Sequence, residues 1–119
     1  MAWEIEVTDQ FFDWVEGLEK SEWDAVVVAA DFLQDWGPGL GRPWVDSIRH
    51  SRHSNMKELR PSPGKLRVLF AFDPRRTAIL LIGGDKSGRW NNWYREMIPI
   101  ADRLYDEHLE EIRREGLLE

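Results

Sequence analysis

Apolar and polar residues alternate at the start of the chain. Trp3-Glu4-Ile5-Glu6-Val7 sets an apolar side chain at every second position, the period of a half-buried strand. The period then lengthens. Phe11, Val15 and Leu18 recur at helical spacing behind Thr8 or Asp9, either of which can cap a helix. Ser21 offers a cap for a second helix with a stripe of Trp23, Val26, Val27, Ala30 and Leu33, and Glu22 and Asp24 in its first turn suit the helix dipole. Trp36-Gly37-Pro38-Gly39 ends it. Leu40 to Asn55 has little periodicity and reads as a connecting segment rich in Arg, His and Ser.

Period two returns at Met56 to Leu59, a short strand followed by the turn Pro61-Ser62-Pro63-Gly64. In the next strand, Leu66 to Phe72, Leu66, Val68, Phe70 and Phe72 share one face, with Arg67, Leu69 and Ala71 on the other. Asp73 to Arg76 turns the chain into Ala78 to Ile82, an apolar central strand, and Gly83 to Gly88 reads as the loop after it. From Asn91 to about Glu115 the spacing is helical, with Met97, Ala101, Leu104, Tyr105, His108 and Ile112 on one side; Pro99 is expected to kink or restart this helix. The prediction is an α+β domain over residues 1–119 in the order β-α-α-β-β-β-α. It has a mainly antiparallel sheet, an N-terminal helical hairpin on one face and a C-terminal helix at the edge or face left over.

Composition changes that picture in two places. The chain has no cysteine, which removes disulfides, thiolate catalysis and cysteine-bound metals and suits a reducing, cytoplasmic setting. The first residues lack the basic and long apolar regions of a signal peptide, and the longest apolar run, Ala25 to Ala30, is too short to span a bilayer, so no membrane association is expected. Seven tryptophans supply bulk for a small core; for Trp90 and Trp93, base stacking competes with core packing.

Charge is the second place. A net charge of −6 argues against a generic nucleic-acid binder, yet Arg42 to Arg76 holds nine Lys/Arg against three Asp/Glu, a local balance of +6. A cationic face on an acidic chain follows, with a solvated charge mosaic as the plainer alternative.

No phosphate loop, zinc-peptidase helix or nucleophile elbow occurs. His50, His53 and Asp85 lack the further ligands a metal needs, so neither metal nor cofactor is expected. What stands out is His53, Lys57, Arg60, Arg67 and Lys86, with Tyr94 nearby in sequence. Such a cluster suits RNA cleavage without metal: one group takes the 2′-hydroxyl proton, cations hold the phosphate, and an acid serves the departing 5′ oxygen. Surface charge beside a soluble sheet is the competing explanation.

The runs Ser51-Arg52-His53-Ser54-Asn55-Met56-Lys57-Glu58-Leu59-Arg60-Pro61, Leu66 to Pro74, and Ile79 to Lys86 resemble the HigB-like, phage Gp49-like branch of the RelE/ParE toxin superfamily. Trp93-Tyr94, Ile98 to Asp102 and Leu104-Tyr105 extend the similarity to nearly the whole chain. The resemblance implies a type II toxin–antitoxin toxin, a ribosome-dependent, metal-independent mRNA endonuclease (an mRNA interferase) that blocks translation in the cytoplasm. It also implies a helix-turn-helix antitoxin as partner in a hetero-oligomer, with the ribosome and mRNA as targets.

By the same resemblance, Arg67, Lys86, His53 and Tyr94 are catalytic candidates and Arg60 and Asp85 RNA-binding candidates; the local positive charge adds Lys57 to the catalytic set and Arg52 and Lys65 to the RNA-binding set. Glu58 stands where RelE patterns carry a second lysine, with Lys57 beside it and facing the other way. Two alternatives share the fold: a ParE-like toxin acting on DNA gyrase, and an inactive, phage-derived protein that only binds its antitoxin.

Overall fold

The computed structural model describes residues 2–61, 64–88 and 90–116, and of Trp90 the backbone only. Part of the expected turn at 61–64, and the alternatives weighed for the Trp90 side chain, lie outside the described residues. The elements run β1 (Glu4–Val7), α1 (Asp9–Glu16), α2 (Lys20–Trp36), a short 3-10 turn (Gly37–Gly39), β2 (Val45–Ser47), β3 (Lys57–Leu59), β4 (Leu66–Phe72), β5 (Thr77–Asp85) and α3 (Trp90–Arg114). The sheet order is β1-β5-β4-β3-β2. β1 lies parallel to β5, and the other neighbours pair antiparallel.

Period-two alternation makes both faces of this sheet apolar, so each needs a cover. Leu59, Leu66, Val68, Phe70, Ala78 and Leu80 pack under the hairpin residues Phe11, Val15, Val26, Ala29 and Leu33. Leu69, Ala71, Ile79 and Leu81 pack under Trp93, Ile98, Ala101, Leu104 and Tyr105 of α3. The C-terminal helix thus covers the second face. It runs unbroken through Pro99, which neither stops nor restarts it, because the apolar side chains flanking the proline are anchored on the sheet.

Several expectations are corrected. The segment before Asn55 contains an edge strand, β2, whose three residues are too few for alternation to show. β5 continues through Gly83-Gly84-Asp85, which the sequence suggested as loop. The two glycines have opposite tasks. A Cβ on Gly83 would meet the Trp14 ring at 2.3 Å, and one on Gly84 would meet Trp93 Nε1 at 2.4 Å. Lacking side chains there, β5 carries a flat indole on each face and stays in the ladder. In α2 the helix begins at Lys20, and the Glu22 carboxylate, not Ser21, holds the N-terminus through the Glu19 N–H at 3.2 Å. Its buried stripe is Val26, Ala29 and Leu33, leaving Trp23 and Val27 exposed.

Candidate active site

The α3 face of the sheet carries its polar cluster where β3, β4 and the first turns of α3 meet. Glu58 and Leu69 are paired across β3 and β4, and Arg67 pairs with Gly84 of β5. Glu58 and Arg67 therefore project on the side that α3 covers, and Arg60 reaches the same point from just past the end of β3. Trp93, seated on Gly84, fixes the start of α3 and so places Tyr94 beside Glu58.

Glu58 is the hub, its side chain only 4% exposed. Its Oε1 accepts the Tyr94 hydroxyl at 2.6 Å, and its Oε2 accepts Arg60 Nε at 3.1 Å and Nη2 at 2.7 Å. Arg67 Nε lies 3.7 Å from Oε1 and is buried without a hydrogen-bond partner among the described residues. The far end of Arg67 is steadied by the Leu66 carbonyl at 2.7 Å. Lys86 is buried, with its Nζ 5.7 Å from the centre of the Tyr94 ring. Asp46 touches Arg60 from the outer side at 3.2 Å.

The electrostatics follow from this crowding. Burial lowers the Lys86 ammonium below its ordinary value, and the neighbouring Arg67 lowers it further. Burial, then the bond to Glu58, pushes the Tyr94 phenol up to about 12, so it stays protonated at neutral pH and donates to the carboxylate. Among the described residues three cations, Arg60, Arg67 and Lys86, gather about the Glu58 carboxylate, and Asp46 offsets Arg60 alone, which leaves the cluster net positive. It opens outward on two sides. One is a cleft of about 210 Å³ lined by Trp44, Pro61, Gly64, Arg60 and Arg67. The other is a cleft of about 430 Å³ lined by His50, Asn91, Tyr94, Arg95, Ile98 and Pro99.

Of the residues singled out in the sequence, Arg60, Arg67, Lys86 and Tyr94 come together here, and the Lys65 carbonyl accepts the Lys86 N–H at 3.1 Å. Asp85 is exposed, its carboxylate turned back to the Ser87 N–H at 2.7 Å. Lys57 sits on the hairpin side of β3, lining a separate cleft with Pro38, Arg42 and Ser47. His53 lies beside Asp106, with Nε2 2.7 Å from Oδ1, and Arg52 pairs with the same carboxylate. That places them more than three helical turns along α3 from Tyr94. The sequence reading missed Glu58 as a participant. Its signal was available: Glu58 and Arg60 share a strand face opposite Leu59.

Residues 13–106 match the family described as phage-derived protein Gp49-like. The chain belongs to that family. It is 47% identical over 112 residues to HigB2 of Mycobacterium tuberculosis, covering 92% of this chain and 55% of the relative. It is 52% identical over 90 residues to HigB3 of the same organism, covering 76% of this chain and 79% of that one. Both are assigned as toxins; the chain spans about half the length of the first. A chain of the archaeal RelE–RelB complex from Pyrococcus horikoshii superposes with a TM-score of 0.60 at 14% identity, over 74% of this chain and 99% of that one. This Gp49-like protein is thus HigB-like in sequence, and its fold is RelE-like.

Proposed function

We propose that this protein is a toxin of a type II toxin–antitoxin pair that cuts mRNA on the ribosome without a metal ion, with Glu58 at the centre of the reaction. The observation that carries this reading is the buried Glu58 carboxylate held among Arg60, Arg67, Tyr94 and Lys86.

A scissile phosphate entering beside Arg67 supplies the acceptor that Nε lacks, and draws Arg60 from the carboxylate. Glu58 then takes the proton of the 2′-hydroxyl. The 2′ oxygen forms a bond to phosphorus, and the two guanidiniums hold the pentavalent charge. The bond from phosphorus to the 5′ oxygen breaks, and Lys86, its ammonium weakened by burial, gives that oxygen a proton. The products are a 2′,3′-cyclic phosphate and a 5′-hydroxyl, with no water, metal or cofactor consumed in the cleavage step. Tyr94 keeps Glu58 oriented.

The toxin names of the two mycobacterial relatives support the biological setting, and the RelE–RelB assembly of the archaeal neighbour supports an antitoxin as partner. No helix among the described residues is long and apolar enough to cross a membrane, in keeping with action on cytoplasmic ribosomes. The test is primer extension on mRNA, with and without ribosomes. Cleavage is expected on ribosomes, and 2′-deoxy substitution at the cut nucleotide should abolish it. Growth arrest with intact mRNA and inhibited gyrase supercoiling would replace this reading with the gyrase-directed one.

A further inference from the structure

The 430 Å³ cleft on the far side of Tyr94 has no part in the chemistry above, yet it shares that residue with the cluster. We infer that this cleft is a nucleobase subsite, which receives the base next to the scissile phosphate between His50 and the start of α3. The inference rests on the ribonuclease reading and adds to it the residues that hold the base.

The volume lies within the range of small-ligand sites and accommodates a single base with its ribose. Its lining has the composition that single-stranded RNA sites use: aromatic rings for stacking, an apolar floor and a few polar groups for the base edges. Tyr94 and His50 supply rings, Ile98 and Pro99 the floor, and Asn91 and the Arg95 guanidinium the edge donors.

Pro99 contributes a second feature. Proline inside a helix has no N–H to give to the residue four before it, so the Arg95 carbonyl lacks its usual α-helical donor at the cleft. Pro99 is costly for a helix and lines this cleft, which gives the residue a purpose that packing alone does not.

The His50 wall is held in place. Ser51 Oγ donates to Asp102 Oδ1, and the Arg52 N–H donates to Asp102 Oδ2 at 3.1 Å, tying the 50–53 loop to α3 one turn past Pro99. Asp102 is 4% exposed, so this tie is shielded from water. The cleft is therefore built before any ligand arrives, and Tyr94 sets its distance from Glu58.

The test is a nuclear magnetic resonance titration of the full chain with guanosine 5′-monophosphate and, separately, with ribose 5-phosphate. The nucleotide should shift His50, Asn91 and Arg95, and the baseless sugar phosphate should leave them in place. His50→Ala and Arg95→Ala alter exposed residues and should stay folded, weakening nucleotide binding about tenfold, as loss of base contacts does, with ribose 5-phosphate binding unchanged. If both ligands shift only Arg60, Arg67 and Lys86, the base subsite is overturned while the phosphate site stands. Nucleotide shifts confined to the cleft would support the subsite and count against the ribonuclease reading. No shift from either ligand at millimolar concentration would overturn the subsite.

Discussion

Two buried charge networks flank α3, and they are built to opposite plans. Near its C-terminal end, Asp73 has a side chain with no exposure and every partner it can use. Its Oδ1 accepts the N–H groups of Arg75 at 2.8 Å and Thr77 at 3.2 Å, and its Oδ2 bonds Arg75 Nε at 2.9 Å and His108 Nε2 at 2.8 Å. Glu6 takes the outer end of Arg75. Near the N-terminal end, Glu58 faces three cations, and Arg67 Nε has no acceptor among the described residues. A saturated network stabilises a turn; one with surplus charge and an unpaired buried donor is prepared for an anion. Burial alone does not separate the two. Satisfaction does.

The sharpest break in the comparison is at the two carboxylates. Glu58→Gln removes the proton acceptor and keeps the shape, and should slow mRNA cleavage by about 10²–10⁴-fold. Arg67→Ala should cost roughly 10²–10³-fold in the same ribosome assay, the size expected for losing one donor to the developing charge. Asp73→Asn acts on stability instead. It takes the charge from a fully buried hub, leaves the half-buried Arg75 with Glu6 alone and weakens the bond to His108, and should cost about 3–5 kcal/mol, read as a melting temperature lower by roughly 10–20 °C.

Acid should act on the same site. Burial pushes the Asp73 carboxyl up, but the bonds from His108, Arg75 and Thr77 outweigh it and hold the group below its ordinary 3.8. A folded value below the unfolded one means the stabilisation is complete above the unfolded value of 3.8 and is lost as pH falls from there through the lower, folded value. The melting difference between the natural protein and Asp73→Asn should therefore shrink only in that acid range. The smallest expected effect is at Lys57, on the hairpin side of β3: Lys57→Ala should change cleavage by no more than about twofold.

The strand faces were legible because alternation is local. Leu66, Val68 and Phe70 on one side already imply Arg67 on the other, and Lys57 opposite to Glu58. Which charged residues meet was not legible. His53 and Lys86 both look like site residues in sequence, yet His53 lies beside Asp106, 53 positions away, and Lys86 folds in beside Tyr94. Glu58 looked like a departure from a lysine pattern: its pairing with Arg60 is local, but Arg67 and Tyr94 reach it from a neighbouring strand and from α3. The extension of β5 through Gly83-Gly84 was hidden for a related reason. Glycine pairs read as loop until the indoles of Trp14 and Trp93 are known to need that space.

The central claim is that Glu58 performs chemistry while Asp73 holds structure, and one paired measurement tests it. Cleavage of ribosome-bound mRNA and thermal melting would be recorded for Glu58→Gln and Asp73→Asn side by side, with cleavage assayed at a temperature where both remain folded. At that temperature Glu58→Gln is expected to barely cut, while Asp73→Asn melts earlier than the natural protein and still cuts near its rate. A Glu58→Gln protein that cuts at the natural rate would contradict it.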